Sequence, residues 1–149
     1  MSGLRELYQE IILDHSRAPR NSGSLPDPDA TAEGHNPLCG DRLTVTLNVA
    51  EESVSDIRIQ VSGCAICSAS ASTMSEAVKG RSLDEVNALF EAFHHVVTGE
   101  HEAEHREALG KLAVFGGVAE FPMRVKCATL PWHTLRAALD PAETTAKTE

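Results

Sequence analysis

Residues 42–62 read RLTVTLNVAEESVSDIRIQVS, and the way this stretch alternates decides the fold. From Arg42 to Ala50, polar and apolar residues take turns and β-branched types are frequent. The same period of two returns in VSDIRIQVS over 54–62. A period of two sends successive side chains to opposite faces of a strand, so each segment has one face for a core and one for water. Only EES separates the two, which predicts an antiparallel hairpin. A further strand is expected over 31–36, upstream of the turn NPLCGDR.

Past Gly63 the pattern changes. CAICSASASTMSEAVKG is dense in alanine and serine, which fits a helix packed closely against a sheet and ended by Gly80. Ser82 and Glu85 then form a capping box, and Leu83, Val86, Leu89, Phe90, Phe93 and Val97 mark one face of a helix running to Gly99. At the N-terminus, Leu4, Leu7, Tyr8, Ile11 and Ile12 recur at helical spacing, predicting an amphipathic helix over 3–15. The segment PMRVKCATLPWHTLRAALD is helical at least from Pro131, and the sequence leaves open whether that helix already begins near Pro122. The expected class is α+β: a small antiparallel sheet of about three strands packed on one side by helices.

The chain of 149 residues reads as a single domain over 1–149. Within it, the prolines, glycine and serines of 16–30 suggest a flexible loop, and the polar residues 141–149 a frayed tail. Residues 100–111 are charged and poorly amphipathic, reading as a solvated helical insertion or a loop. With 22 acidic against 13 basic residues the net charge is -9, which argues against nucleic acid or an anionic membrane as partner. The opening MSGLRELYQEIILDH lacks the apolar core of a secretory signal, and no window approaches the roughly 20 apolar residues of a membrane span. A cytoplasmic location is expected, where four cysteines serve metal ligation or thiol chemistry more readily than structural disulfides.

In NPLCGDR, Pro37 keeps the turn out of a helix, and Gly40 stands between Cys39 and Asp41. Glycine permits backbone angles closed to other residues, so the thiolate and the carboxylate can aim at one point. That suggests a metal; a disulfide half, a reactive thiol or an ordinary turn compete with it. Cys64 lies between a strand and a helix N-terminus, where unpaired N–H groups favour a thiolate, and Cys127 lies near the start of the last helix. If these element ends converge, Cys39, Asp41, Cys64 and Cys127 give a four-ligand set suited to Zn²⁺ or to iron–sulfur chemistry. The spacing matches no compact zinc ribbon, and single cysteines are often small buried apolar residues.

Three stretches carry a resemblance: NPLCGDR, SGCAICSASASTMSEAVKGRSLDE and RVKCATLPWHTLRAAL. Together, and in this order, they resemble the IscU-like iron–sulfur assembly scaffold family, most closely its SufU-type branch, from the N-terminal helix to about residue 139. The resemblance implies a metal site at Cys39, Asp41, Cys64 and Cys127. Lys126 stands where the IscU-type branch has a histidine, and an insertion near 98–118 matches SufU-type members. A protonated lysine is no ligand, which leaves Asp41 as the fourth. The implied function is a zinc-dependent acceptor of persulfide sulfur from a SufS-type cysteine desulfurase, passing it toward downstream cluster-assembly scaffold proteins. In this reading Zn²⁺ holds the thiolates, a desulfurase side chain displaces one of them, and Cys39, hinged on Gly40, is the thiolate that leaves to take up sulfur. The alternative is a scaffold on which a [2Fe–2S] cluster, or iron, occupies the same residues.

Other features compete for attention. HEAEH over 101–105 satisfies HExxH, so a zinc hydrolase using His101, Glu102 and His105 is a third reading, against a solvated surface helix. CAIC over 64–67 is formally CxxC, although no βαβ pattern surrounds it, and Cys67 departs from the family pattern. It reads as a buried small residue or as half of a thiol pair. His35 is a candidate neighbour of the metal, Arg124 and Lys126 can lower the Cys127 pKa or face the desulfurase, and Trp132 is core or interface.

Overall fold

A computed structural model describes residues 2–37, 40–99, 109–118, 121–139 and 145–147. Its sheet contains β1 (Ala30–Asn36), β2 (Asp41–Ala50), β3 (Ser53–Ser62) and β4 (Thr145–Lys147) in the order β3-β2-β1-β4. The first three strands pair antiparallel, and β4 runs parallel to β1. The expected three-stranded antiparallel sheet is therefore present, with a short fourth strand at its edge. Thr145–Lys147, within the tail read as frayed, lies beside Glu33–His35, where the edge of β1 offers backbone groups that a passing chain can satisfy.

Register follows the apolar pattern. Leu43 faces Val61, Val45 faces Ile59 and Leu47 faces Ile57, so one sheet face is a continuous apolar surface; Val45, Leu47, Ile57 and Ile59 are fully buried. A one-residue slip would expose all of them, which pins the pairing. The hairpin turns through Glu51 and Glu52, both with positive φ (53° and 59°), the conformation of the tight turn whose twist matches two adjoining strands.

The helices are α1 (Ser2–Arg17), α2 (Ala65–Val78), α3 (Leu83–Val97) and α4 (Pro122–Leu139), with a 3₁₀ segment at Gly110–Val118. The capping box of α3 forms as the sequence indicates: Ser82 accepts from the Glu85 N–H, and Glu85 reaches back to the Ser82 N–H. Helix α4 begins at Pro122 and runs through Pro131, settling the start that the sequence left open. Its inner face stacks Trp132 on Phe93, with ring centroids 5.0 Å apart, and Phe93 meets Phe115 of the 3₁₀ segment. Trp132 is thus a core residue.

Two close approaches set how the helices meet the sheet and each other. Gly34 of β1 faces Thr134 of α4 so closely that a Cβ there would run into the threonine hydroxyl. Helix α2 presents a buried row of small residues, and the Ser70 hydroxyl donates to the carbonyl of Ala128 in α4. The serines of α2 also hold the N-terminal region. Ser72 Oγ lies 2.7 Å from His15 Nδ1 and accepts from the Arg20 N–H at 2.9 Å, while Asn21 Nδ2 donates to Ser75 Oγ. The 16–30 loop, read from its composition as flexible, runs beside the sheet. Its backbone bonds to β3 at Asn21 and Gly23, and the Leu25 N–H bonds to Thr46 Oγ1, so polar side chains and a strand edge supply the partners that a coil would take from water.

Candidate metal centre

Strand β2 opens with Asp41, directly after a turn closed by the Gly40 N–H donating to the Asn36 carbonyl at 2.8 Å. Gly40 takes φ 75°, the left-handed region that glycine enters without steric cost. Because side chains alternate along a strand, Asp41 points to the helix-covered side with Leu43, and Asn36, its cross-strand partner, is buried beside it.

Cys64 ends the segment between β3 and α2. It is the N-cap of α2, with extended backbone (φ -71°, ψ 167°), and its Sγ accepts from the Cys67 N–H at 3.4 Å. The sulfur therefore takes the place of the serine or aspartate oxygen usual at that position and lies in the positive field of the helix end. Asp41 reaches the same point: its Oδ1 accepts the Cys64 N–H at 2.9 Å, and Oδ2 is 3.9 Å from Cys64 Sγ. Gly63 makes room for this contact, since a Cβ on residue 63 would collide with the Asp41 carboxylate.

Cys127 completes the cluster from α4. Pro131, one turn on, has no N–H to give the Cys127 carbonyl, so the ladder is broken at the residue that carries the thiol. The bond from Ser70 to Ala128 locks α2 to α4 immediately beside it and thereby fixes Cys127 relative to Cys64. One ligand atom each from Asp41, Cys64 and Cys127 all lie within 4.8 Å of one another. Asp41 and Cys127 are buried, and Cys64 opens to solvent.

Burial pushes the Cys127 thiol far above its ordinary value, and the neighbouring Asp41 and Cys64 push it the same way. Three groups that carry negative charge as ligands are crowded here. Two sulfurs with one oxygen form a donor set suited to zinc or iron, with room for a fourth ligand. The residues present fit a metal on their chemistry as well as their spacing.

Cys39 lies outside the described residues, as do His101, Glu102 and His105. Cys67 is fully buried in the first turn of α2. His35 pairs across the sheet with Arg42 and lies on the face opposite Asp41, lining with it a hollow of about 470 Å³ away from the thiols. Arg124 stacks on Phe121 at 4.9 Å, and Lys126 lies next to Cys127 on α4. Sequence reasoning singled out the four polar ligand candidates but missed Gly63 and Asn36, the residues that shape the carboxylate's surroundings. Their only signals were positions beside Cys64 and within NPLCGDR.

A small helix-covered sheet thus gathers a carboxylate and two thiols at one edge, a candidate metal site on an α+β fold. Comparison with known proteins gives the family. The NifU-like N-terminal domain matches residues 7–128. The iron–sulfur cluster assembly scaffold protein IscU of Streptococcus pyogenes serotype M1 is 38% identical over 139 residues, covering 93% of this chain and 86% of that one. The zinc-dependent sulfurtransferase SufU of Bacillus subtilis (strain 168) is 37% identical over 134 residues, 90% of each. Among solved structures, a candidate SUF-system scaffold from Fervidobacterium islandicum AW-1 superposes with a TM-score of 0.82 at 31% identity, covering 88% of this chain and 95% of that one. The chain belongs to the NifU-like N-terminal domain family, the iron–sulfur cluster assembly scaffolds that include IscU and SufU. No helix among the described residues is long and apolar enough to cross a membrane.

Proposed function

We propose that the protein is a zinc-dependent sulfur acceptor in iron–sulfur cluster assembly, with Asp41, Cys64, Cys127 and Cys39 holding the metal and Cys39 receiving sulfur from a SufS-type cysteine desulfurase. The observation that carries this reading is the convergence of Asp41, Cys64 and Cys127, from three elements far apart in the chain, within 4.8 Å. The likeness to a relative named as a zinc-dependent sulfurtransferase supports the choice of metal and reaction. Bound zinc would keep the sulfurs as thiolates at neutral pH and protect them from oxidation.

The residues of the chain divide the remaining work. Gly40, at φ 75°, adjoins Cys39 and gives that residue a backbone pivot. Asp41 is clamped by the Cys64 N–H and keeps its place while Cys39 reacts. Sulfur transfer then balances as an exchange: the Cys39 thiolate attacks the outer sulfur of the desulfurase persulfide, a Cys39 persulfide forms, and the enzyme cysteine leaves as a thiolate. Seven residues from 121 to 127, FPMRVKC, present exposed Phe121 and Met123 with Arg124 beside the site, a surface suited to a partner protein.

The test incubates the purified protein with cysteine and a SufS-type desulfurase, then maps persulfide by alkylation and mass spectrometry. Sulfur is expected on Cys39, with desulfurase turnover rising; a Cys39→Ser protein that accepts sulfur normally contradicts the reading. A second reading, a scaffold on which a [2Fe–2S] cluster is built on the same residues, is favoured by the relative named IscU. Visible absorption after reconstitution with iron and sulfide, together with cluster transfer to an apo-protein, would select it.

A further inference from the structure

The metal reading leaves one thiol unused, Cys67, three residues from a proposed ligand. Cys67 is fully buried in the first turn of α2, three residues after Cys64, and its N–H donates to the Cys64 sulfur at 3.4 Å. The exposed sulfur thus caps the helix, and the second cysteine follows in its first turn. Helix geometry puts Cα atoms at such a spacing about 5 Å apart. A disulfide spans roughly 4.4–6.8 Å between Cα atoms, so the spacing of this pair falls within the range that a disulfide bridges.

We propose that Cys64 and Cys67 form a reversible disulfide that protects Cys64 from irreversible oxidation and, on the reading given above, withdraws it from the metal. The oxidant is a hydroperoxide. The Cys64 thiolate takes an oxygen from it and becomes a sulfenic acid, with the O–O bond broken and an alcohol or water released. The Cys67 thiol then attacks the Cys64 sulfur, its proton leaves with the hydroxyl as water, and the S–S bond forms. A dithiol reductant returns both cysteines.

Cys67 is better placed than Cys127 to resolve the sulfenic acid. It shares a rigid turn with Cys64, so the ring to be closed is short and already formed by the helix. Cys127 is on another element and belongs to the ligand cluster itself. The burial of Cys67 is no obstacle, because the only atom it must reach is the sulfur above it. The same burial keeps external thiols and peroxide from Cys67, which directs the first oxidation to Cys64.

The experiment treats the full chain, metal-loaded and metal-stripped in parallel, with one to a few equivalents of hydrogen peroxide, blocks free thiols, and digests with trypsin. Cys64 and Cys67 fall in one peptide, residues 59–79, whereas Cys127 falls in another. The expected product is peptide 59–79 lighter by two hydrogens, unalkylated at both cysteines, and restored by dithiothreitol. In Cys67→Ala, which retains a small apolar residue at the buried position, the same peptide instead gains two oxygens at Cys64, and dithiothreitol does not reverse it. A disulfide joining 59–79 to the Cys127 peptide, or Cys67 alkylated after oxidation of the wild type, overturns the proposal. The metal-stripped arm separates this outcome from the metal reading: there the disulfide is expected whether or not the native protein holds zinc.

Discussion

The two ends of β2 are made of different material. At its N-terminal end the chain enters through Gly40, at φ 75°, and passes beside Gly63, whose bare backbone leaves room for the buried carboxylate of Asp41. At its C-terminal end it leaves through Glu51 and Glu52, also left-handed (φ 53° and 59°) but with full side chains. The distal turn tolerates this because the register is already held by Val45 against Ile59 and Leu47 against Ile57. The proximal turn has no such latitude: a methyl group on residue 63 would occupy the place of the carboxylate, while Gly40 supplies the left-handed φ. Left-handed residues with full side chains stand at the distal turn, and glycines stand where the Asp41 carboxylate is aimed at Cys64.

The strongest way to break this contrast is Gly63→Ala. The added carbon displaces the Asp41 carboxylate from the Cys64 N–H, and zinc affinity is expected to fall by about 100-fold, as for loss of a group that orients a metal ligand. Competition against a chromophoric chelator measures it, and unchanged affinity would separate Asp41 from the metal. Gly34→Ala gives the counterpart away from the thiols: its Cβ meets Thr134 and pushes α4 off β1, costing about 2 kcal/mol in denaturant unfolding. Gly40→Ala forces a side chain into the left-handed region, for a loss of about 1 kcal/mol together with weaker metal binding. At the distal end the sign reverses. Glu51→Asn with Glu52→Gly is expected to raise stability by about 1 kcal/mol and leave metal affinity unchanged.

The smallest effect is one of pH. Burial lowers the pKa of His133 below its ordinary value of 6.5, with His94 and Arg136 acting in the same direction. The folded protein therefore binds this proton less well than the unfolded chain, so stability is retained above pH 6.5 and falls as pH drops through it. In His133→Phe, which keeps the edge-on contact with Phe90, the curve should flatten between pH 5 and 7 in thermal unfolding.

Much of this architecture was legible because it follows local rules. The hairpin came from its period of two, and α3 from Ser82, Glu85 and a stripe of apolar residues. The length of α4 was not legible, because Pro131 breaks the local rule, and the helix is carried by Trp132 packing on Phe93 and Thr134 meeting Gly34 of β1. The contacts of the 16–30 segment were not legible, because its partners are the serines of α2, far away in the chain. At the site, the polar candidates could be read from residue type. Gly63 and Ser70 act by what they leave out or tie together, which has no signature until the elements are in place.

The central claim is that one ion is held by sulfur from three distant parts of the chain and by the Asp41 carboxylate. X-ray absorption at the zinc edge of the purified wild type tests it directly. The expected spectrum has three sulfur ligands at about 2.3 Å and one lighter atom at about 2.0 Å, with a sulfur lost in Cys64→Ser and in Cys127→Ser. A shell of nitrogen and oxygen alone, or a spectrum unaffected by those two substitutions, would contradict it.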